Sequence, residues 1–345
     1  MGLSPAAARV GIVGFGLSGR VFHAPLIEAV AGLELAAIVT SDAARQAGAR
    51  TAHPDAAVLS SVDELWGLVD LVVVAAPNRA HVPLALAALE RGLAVVVDKP
   101  LAADVAQAER LLDAGGRLTV FQNRRYDGDF RTIARLLDDG ALGRITRFES
   151  RFERFRPDVS VDAWRERLDP EEGGGLLLDL GAHLVDQATT LFGPPVRVYA
   201  ELDARRPGAR VEDDVFVALE HPDQVRSHLW MSSVAPLVGP RLRVSGLVAG
   251  FETSGLDPQE AQLAAGLRPG SPDFGRSGPG RLVDAGGSRE LPLEPGAYVR
   301  FYEGVAAWLR AEAPAPVDPR ESLAGLRVLD AVRRSAAEAR VVVTA

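Results

Sequence analysis

The stretch Arg9-Val10-Gly11-Ile12-Val13-Gly14-Phe15-Gly16-Leu17-Ser18-Gly19-Arg20 decides how this chain is read. An aliphatic run leads directly into G-x-G-x-x-G, and a helix-like segment over Ser18–Ala31 follows. In that setting Gly14 permits a tight turn, Gly16 lets a pyrophosphate approach the backbone, and Gly19 lets helix and strand pack closely. The free N–H groups at the start of the helix, with its positive dipole end, then face the phosphates. Dinucleotide binding, with Phe15 inside the loop, outweighs the alternative of a purely structural glycine turn, because both the strand before and the helix after are present.

Outward from this motif, residues 8–121 alternate short aliphatic runs with helical patterns. The runs Arg9–Val13, Leu33–Val39, Leu71–Ala75, Ala94–Val97 and Leu118–Phe121 predict strands. They are continuously apolar, as strands covered on both faces must be. Helices are predicted over Ser18–Ala31, Asp63–Gly67, Val82–Arg91 and Ala103–Ala114. Strands alternating with helices imply a parallel sheet with right-handed crossovers.

From about residue 123 the pattern changes. Ile145–Phe155, Val196–Leu202, Val215–Glu220, Val225–Met231 and Arg241–Phe251 read as longer strands of mixed polarity, several with clean alternation. They predict an antiparallel sheet with one exposed face. Residues 268–288, dense in Gly, Pro and Ser, predict an irregular loop. Helices are predicted over Val299–Ala311 and Glu321–Glu338. The expected fold class is α/β, an N-terminal Rossmann parallel sheet followed by an α/β domain with an open, mainly antiparallel sheet. The expected domains are 1–122 and 123–345, with the last helix able to pack back on the first domain.

The composition is that of a soluble globular chain: 345 residues, 47% hydrophobic and 24% charged, with a net charge of −8. Acids and arginines are interspersed, which argues against nucleic acid as a partner. There is no cysteine, so thiolate chemistry and disulfides are excluded. No apolar run approaches the roughly 20 residues needed to span a bilayer. The opening residues lack the features of a secretory signal, and a cytoplasmic protein is expected.

Lys99 is the only lysine among the chain's 38 basic residues, and it stands between Asp98 and Pro100 at the end of a predicted strand. A site that needs a compact charge with three rotatable donors is poorly served by arginine. At the end of the second strand, Thr40 occupies the place where an acid commonly holds an NAD ribose. Thr40 and Ser41 can donate to a 2′-phosphate, with Arg45 one turn further to balance charge, so NADP is expected over NAD. Asp42 argues the other way unless it caps the next helix. Ala76-Pro77-Asn78 closes the third predicted strand at the edge where open α/β sheets bind ligands. His81 is read as structural.

Asp179 and His183 lie four residues apart behind Gly173-Gly174-Gly175. On a helix they share a face, where His183 can take a proton from an alcohol and Asp179 can orient it or hold a neighbouring hydroxyl. No third ligand stands nearby, so no metal is expected. Asn123 and Arg124, where the chain passes between domains, are expected to touch cofactor or substrate, with at least one of Arg124 and Arg125 structural. Trp164 is either core or a flat wall for a sugar-like ligand.

These motifs in this order resemble the Gfo/Idh/MocA family of NAD(P)-dependent oxidoreductases. The resemblance rests on Gly14–Gly19, Asp98-Lys99-Pro100 for the family's E-K-P, and Asp179-x-x-x-His183 for its D-x-x-x-H. Gly14 through His23, Gln122-Asn123-Arg124-Arg125 and Gly181 through Gln187 most resemble the scyllo-inositol dehydrogenase (NADP) branch. The one departure, Asp98 for glutamate, shortens the acid by one methylene and keeps its charge. The resemblance implies hydride transfer to or from a polyol or sugar, with Lys99, Asp179 and His183 catalytic. Lys99, Pro100 and Asn123 would also contact the cofactor, and Lys99, Asn123, Arg124, Trp164, Asp179 and His183 the substrate. It implies a homodimer or homotetramer built on the open sheet. A tightly held dinucleotide that drives glycoside cleavage or epimerisation, and a dinucleotide sensor without turnover, remain as other readings.

Overall fold

The computed structural model describes residues 7–159 and 174–344. Its first sheet comprises β1 (Ala8–Val13), β2 (Leu33–Val39), β3 (Ala57–Leu59), β4 (Leu71–Val74), β5 (Ala94–Asp98) and β6 (Leu118–Phe121). These run in the order β3-β2-β1-β4-β5-β6, and every pairing is parallel. Val72, Val73, Val95, Val96 and Val120 are fully buried, as helices on both faces require. The order reverses between β1 and β4, so a crevice opens beyond their carboxyl ends, the place where doubly wound sheets take their ligands.

The second sheet has nine strands. They are β7 (Ile145–Glu153), β8 (Arg197–Asp203), β9 (Asp214–Glu220), β10 (Arg226–Ser232), β11 (Leu242–Gly246), β12 (Ala249–Thr253), β13 (Gly280–Asp284), β14 (Gly287–Leu291) and β15 (Val342–Val343). Their order is β14-β13-β12-β11-β7-β10-β9-β8-β15; β7 and β10 pair parallel, and the other pairings are antiparallel. Alternation along β9 buries Val215, Val217 and Leu219 beneath helices Ala182–Phe192 and Pro319–Glu338 and leaves Phe216 and Ala218 on the open face.

Four expectations are corrected. The helix predicted over Asp63–Gly67 is a single 3₁₀ turn, Val62–Glu64, followed by irregular turns. The predicted strand Arg241–Phe251 breaks at Leu247-Val248 into the β11–β12 hairpin. Residues 280–288 belong to the β13–β14 hairpin rather than an irregular loop, with Asp284-Ala285-Gly286-Gly287 supplying the turn; Gly287 has φ +117° and Gly286 donates its N–H to Asp284 Oδ1. The helix predicted from Ser18 begins instead as a π-helical segment, Ser18–His23, and becomes α-helical only over Ala24–Glu28.

The last helix, Pro319–Glu338, packs on β8 and also reaches helix Val105–Asp113 of the first sheet's layer, where Arg327 pairs with Glu109 at 2.8 Å. At the end of β6, Phe121, Phe301, Tyr302 and His23 pack ring against ring with little or no exposure. Truncating a ring such as Phe121 to alanine should cost about 3–5 kcal/mol.

Beside these rings lies a buried polar cluster. Asp127 Oδ1 accepts from the Tyr298 hydroxyl at 2.7 Å, and Arg124 lies 3.5 Å from its other oxygen. Asp129, Asp257 and Arg241 are also buried there, giving three carboxyl groups for two guanidiniums. Burial, the largest influence, pushes the Asp127 carboxyl up; Arg124 pulls it down, but Asp129 and Asp257 push it further up, to about 8. The native state therefore keeps a proton that the unfolded chain has already lost, from about pH 4 to about pH 8. In that window stability falls as pH rises. Urea midpoints at pH 5 and pH 8 should differ less in Asp127→Asn than in the parent; an unchanged difference would place the proton elsewhere.

Candidate active site

The glycine loop is built by steric exclusion. Gly14 has φ +101°, and a Cβ there would stand 2.5 Å from the Ala75 carbonyl oxygen. A Cβ at Gly19 would run into the Gly14 carbonyl oxygen, so the helix can approach β1 only without a side chain. Gly16 differs: a Cβ there would meet nothing within 4 Å. Its side faces open space beside the crevice, the cradle a pyrophosphate requires. Phe15 is 2% exposed, and its ring packs edge-on against His53, so only its backbone can serve a ligand.

At the end of β2, Thr40 is buried while Ser41 and Arg45 are exposed. Asp42 caps helix Ala43–Ala52, its carboxylate accepting the Arg45 N–H at 2.8 Å. The Arg45 guanidinium forms no ion pair among the described residues. Beyond β4, Ala76 and Pro77 lead into the 3₁₀ turn Asn78–Ala80. His81 is buried, with Nδ1 2.8 Å from the Pro100 carbonyl oxygen and Nε2 2.9 Å from that of Ala76.

Lys99 follows β5, and its peptide bond to Pro100 is cis. Its ammonium donates to the Asp179 carbonyl oxygen at 2.7 Å and to Asp179 Oδ1 at 3.2 Å. Both side chains retain about 15% exposure, so the pair is reachable from the crevice. Asp98 Oδ1 accepts the Lys99 N–H at 2.8 Å. Burial, the largest influence, pushes the Asp98 carboxyl up, but the facing His23 ring and the Ser18 hydroxyl outweigh it and bring it to about 2. A fixed negative charge therefore sits directly behind Lys99.

Asp179 lies on a second π-helical segment, Leu177–Gly181, and His183 on the first turn of the α-helix that continues it. The segment is entered through Gly175, at φ +90°, where a side chain would clash with Glu212; that glutamate accepts the Leu177 N–H at 3.1 Å. The His183 ring is buried, 6.3 Å from the Phe152 ring. The structure thus brings Lys99 and Asp179 together from opposite sheets and sets His183 one turn further.

Asn123 is buried in a 3₁₀ turn. Arg124 is committed to the polar cluster, with NH1 on the Tyr298 hydroxyl at 3.1 Å and NH2 on Glu260 at 2.9 Å; its Nε has no partner. Arg125 binds Asp186 in a bidentate pair and also Glu321. Both arginines thus carry structural pairs. Trp164 lies outside the described residues. The sequence reading passed over His23 and Tyr302, joined at 2.6 Å across 279 positions, a pairing no local pattern signals. No group of three or more His, Cys, Asp and Glu side chains able to hold a metal occurs among the described residues.

Residues 8–120 match the oxidoreductase family with an NAD-binding Rossmann fold, and residues 130–251 match the GFO/IDH/MocA C-terminal domain. The chain belongs to the Gfo/Idh/MocA family. It is 39% identical to oxidoreductase YdgJ of Escherichia coli K12, over 93% of this chain and 94% of that one. It is 34% identical to scyllo-inositol 2-dehydrogenase (NADP(+)) IolW of Bacillus subtilis, over 97% and 95% respectively. The solved structure of oxidoreductase yvaA from Bacillus subtilis superposes with a TM-score of 0.93 at 31% identity, covering 99% of this chain and all of that one. The fold is that of an NAD(P)-binding oxidoreductase of the Gfo/Idh/MocA family, which implies dehydrogenase-type activity. No helix among the described residues is long and apolar enough to cross a membrane.

The glycine geometry separates two substitutions. Gly16→Ala should leave thermal stability near that of the parent and weaken dinucleotide binding. Gly19→Ala should lower stability by about 1–3 kcal/mol through overpacking. Thermal melts with NADPH fluorescence titrations check both; equal melting temperatures for the two variants would remove the distinction.

Proposed function

We propose that the protein transfers hydride reversibly between NADP and a secondary alcohol or ketone carbon of a polyol or sugar. The observation that carries this reading is the Lys99 ammonium, held on Asp179 at the crevice edge one helical turn from His183. The dinucleotide, when bound, supplies the hydride acceptor or donor. Phe15, Gly16 and the first N–H groups of the helix would hold its pyrophosphate, with Gly14, whose own N–H goes to the Val39 carbonyl, and Gly19 allowing the close approach, while Ala76, Pro77, Asn78, Pro100 and Asn123 would line its path along the crevice. Residues 1–122 form the dinucleotide unit and residues 123–345 the substrate unit.

His183 takes the hydroxyl proton as general base, a contribution typically of about 10²–10⁴-fold. Lys99 donates to the same oxygen and stabilises the developing alkoxide. Asp179 holds the ammonium in place and accepts from an adjacent hydroxyl. Substrate specificity rests on Asn123, Trp164 and neighbouring residues of the second unit.

Two features support NADP. Asp42 is occupied as a helix cap, and the exposed Arg45 guanidinium, without an ion pair among the described residues, stands near Thr40 and Ser41. The open face of the second sheet, where Tyr199, Phe216 and Trp230 line up on neighbouring strands, supports self-association as a dimer or tetramer.

The test is absorbance at 340 nm with inositols, aldoses and their keto forms, each with NAD and NADP. Turnover favouring NADP is expected, with Arg45→Ala raising the KM for NADP several-fold and leaving that for NAD unchanged. Lys99→Arg should lose most of kcat although the charge is kept; near-normal kcat would remove Lys99 from the mechanism. Product formed without net change at 340 nm would point instead to a bound-dinucleotide cycle.

A further inference from the structure

The backbone on each side of Lys99 is held by a buried histidine that the chemistry above does not use. Upstream, Asp98 accepts the Lys99 N–H through Oδ1, while its Oδ2 lies 3.7 Å from Nε2 of His23. That separation is an electrostatic approach rather than a hydrogen bond, and His23 Nε2 has no hydrogen-bond partner among the described residues. The other ring nitrogen, Nδ1, is 2.6 Å from the Tyr302 hydroxyl. Burial pushes the Tyr302 phenol well above its ordinary range, so the hydroxyl keeps its proton in this contact. With an N–H on Nε2 facing the Asp98 carboxylate, Nδ1 is the acceptor and the Tyr302 hydroxyl the donor.

Downstream, His81 reaches the Pro100 carbonyl with Nδ1 and the Ala76 carbonyl with Nε2. It therefore joins the chain just beyond β5 to the chain just beyond β4, the two strand ends that border the crevice. A neutral imidazole has one N–H for these two acceptors, and burial disfavours the cation that would serve both. An apolar side chain would fill the same space but leave both carbonyls without this donor. Space-filling does not account for the choice. His23 and His81 are 0% and 1% exposed, so neither can touch a molecule bound in the crevice.

We propose that His23 and His81, with Asp98 and Tyr302, form a frame of positioning residues that fixes the backbone on both sides of Lys99 and so sets where its ammonium meets the reacting oxygen. Because Tyr302 belongs to helix Val299–Leu309, the frame also ties the Lys99 strand end to the second half of the chain. The inference rests on the reading of Lys99 as the donor to that oxygen.

The variants are Tyr302→Phe, which removes one hydroxyl from an otherwise intact ring, and the pair His81→Asn and His81→Leu. Misplacing a catalytic group by about 1 Å can cost on the order of 100-fold. Tyr302→Phe and His81→Leu should therefore lower kcat by about ten- to a hundredfold per dinucleotide-binding site, with each KM changed less than about threefold. His81→Asn, which keeps an N–H donor, should recover part of the loss. A role limited to folding would lower the melting temperature and the fraction of active sites but leave kcat per site unchanged.

A second readout needs no ligand. Amide hydrogen exchange of residues 94–102 in the free protein should accelerate in Tyr302→Phe and His81→Leu well below their melting temperatures. Unchanged kcat per site in both variants overturns the frame even if stability falls. If the parent protein turns over no polyol or sugar, the proposed reaction fails on its own account and exchange decides the frame: acceleration supports it, parent-like exchange overturns it.

Discussion

The contact between the Lys99 ammonium and Asp179 joins the two sheets at the point where the chemistry is read. Lys99 leaves the carboxyl end of β5, and Asp179 sits on a helical turn laid against the second sheet. Energetically the pair is not a prop for the fold. An exposed ion pair is worth at most about 1 kcal/mol, and burying one costs several kcal/mol of lost hydration per ion before any attraction is counted. What the contact supplies is register, since it is made only when strand end and helix turn are correctly placed. The ring cluster of Phe121, Phe301 and Tyr302 packs beside the Lys99 strand end, Phe121 being the β6 neighbour of Asp98.

The same division runs through the arginines. Arg125 makes a bidentate pair with Asp186 and a further contact with Glu321, and Arg124 joins Tyr298 and Glu260. Both follow β6 directly, where the chain leaves the first sheet. Each guanidinium fastens the crossing segment to elements 60 to 200 residues away in sequence. Arg125 has all three guanidinium nitrogens engaged and Arg124 both terminal ones, whereas the compact Lys99 ammonium fits beside the Asp179 carbonyl.

Much of this was legible in the residues. Five strands of the first sheet announce themselves as aliphatic runs because a sheet covered on both faces tolerates little else. The glycine roles followed from their spacing. Helix Ala43–Ala52 signalled itself only through the Asp42 cap, because it carries no large apolar residue and buries only Ala49. Helix Gly128–Asp138 did carry one, Phe130, Ile133 and Leu136 at helical spacing, but it opens with Gly-Asp and follows a polar run that reads as a crossing loop. The 268–288 region was dominated by its glycines and prolines, which masked the short β13 strand. The partnership of His23 with Tyr302 was out of reach, since nothing local links positions separated by most of the chain.

Both unusual helical segments, Ser18–His23 and Leu177–Gly181, border the crevice. A π-helical turn accommodates one residue more than an α-helical turn would, within an otherwise α-helical run. Shortening Leu177–Gly181 by a single residue would let the whole run close into regular α-helix, which a helix by itself tolerates. Four α-helical residues turn through nearly the same angle as five π-helical ones, so the flanking residues would keep their register and only the positions inside the turn, Asp179 among them, would shift relative to His183. The Asp179 carbonyl would then turn away from Lys99, while the buried leucines on either side would still find apolar surroundings. The length of this segment is therefore constrained by the site more tightly than by the fold, and single-residue deletions here would produce folded proteins with a dismantled centre.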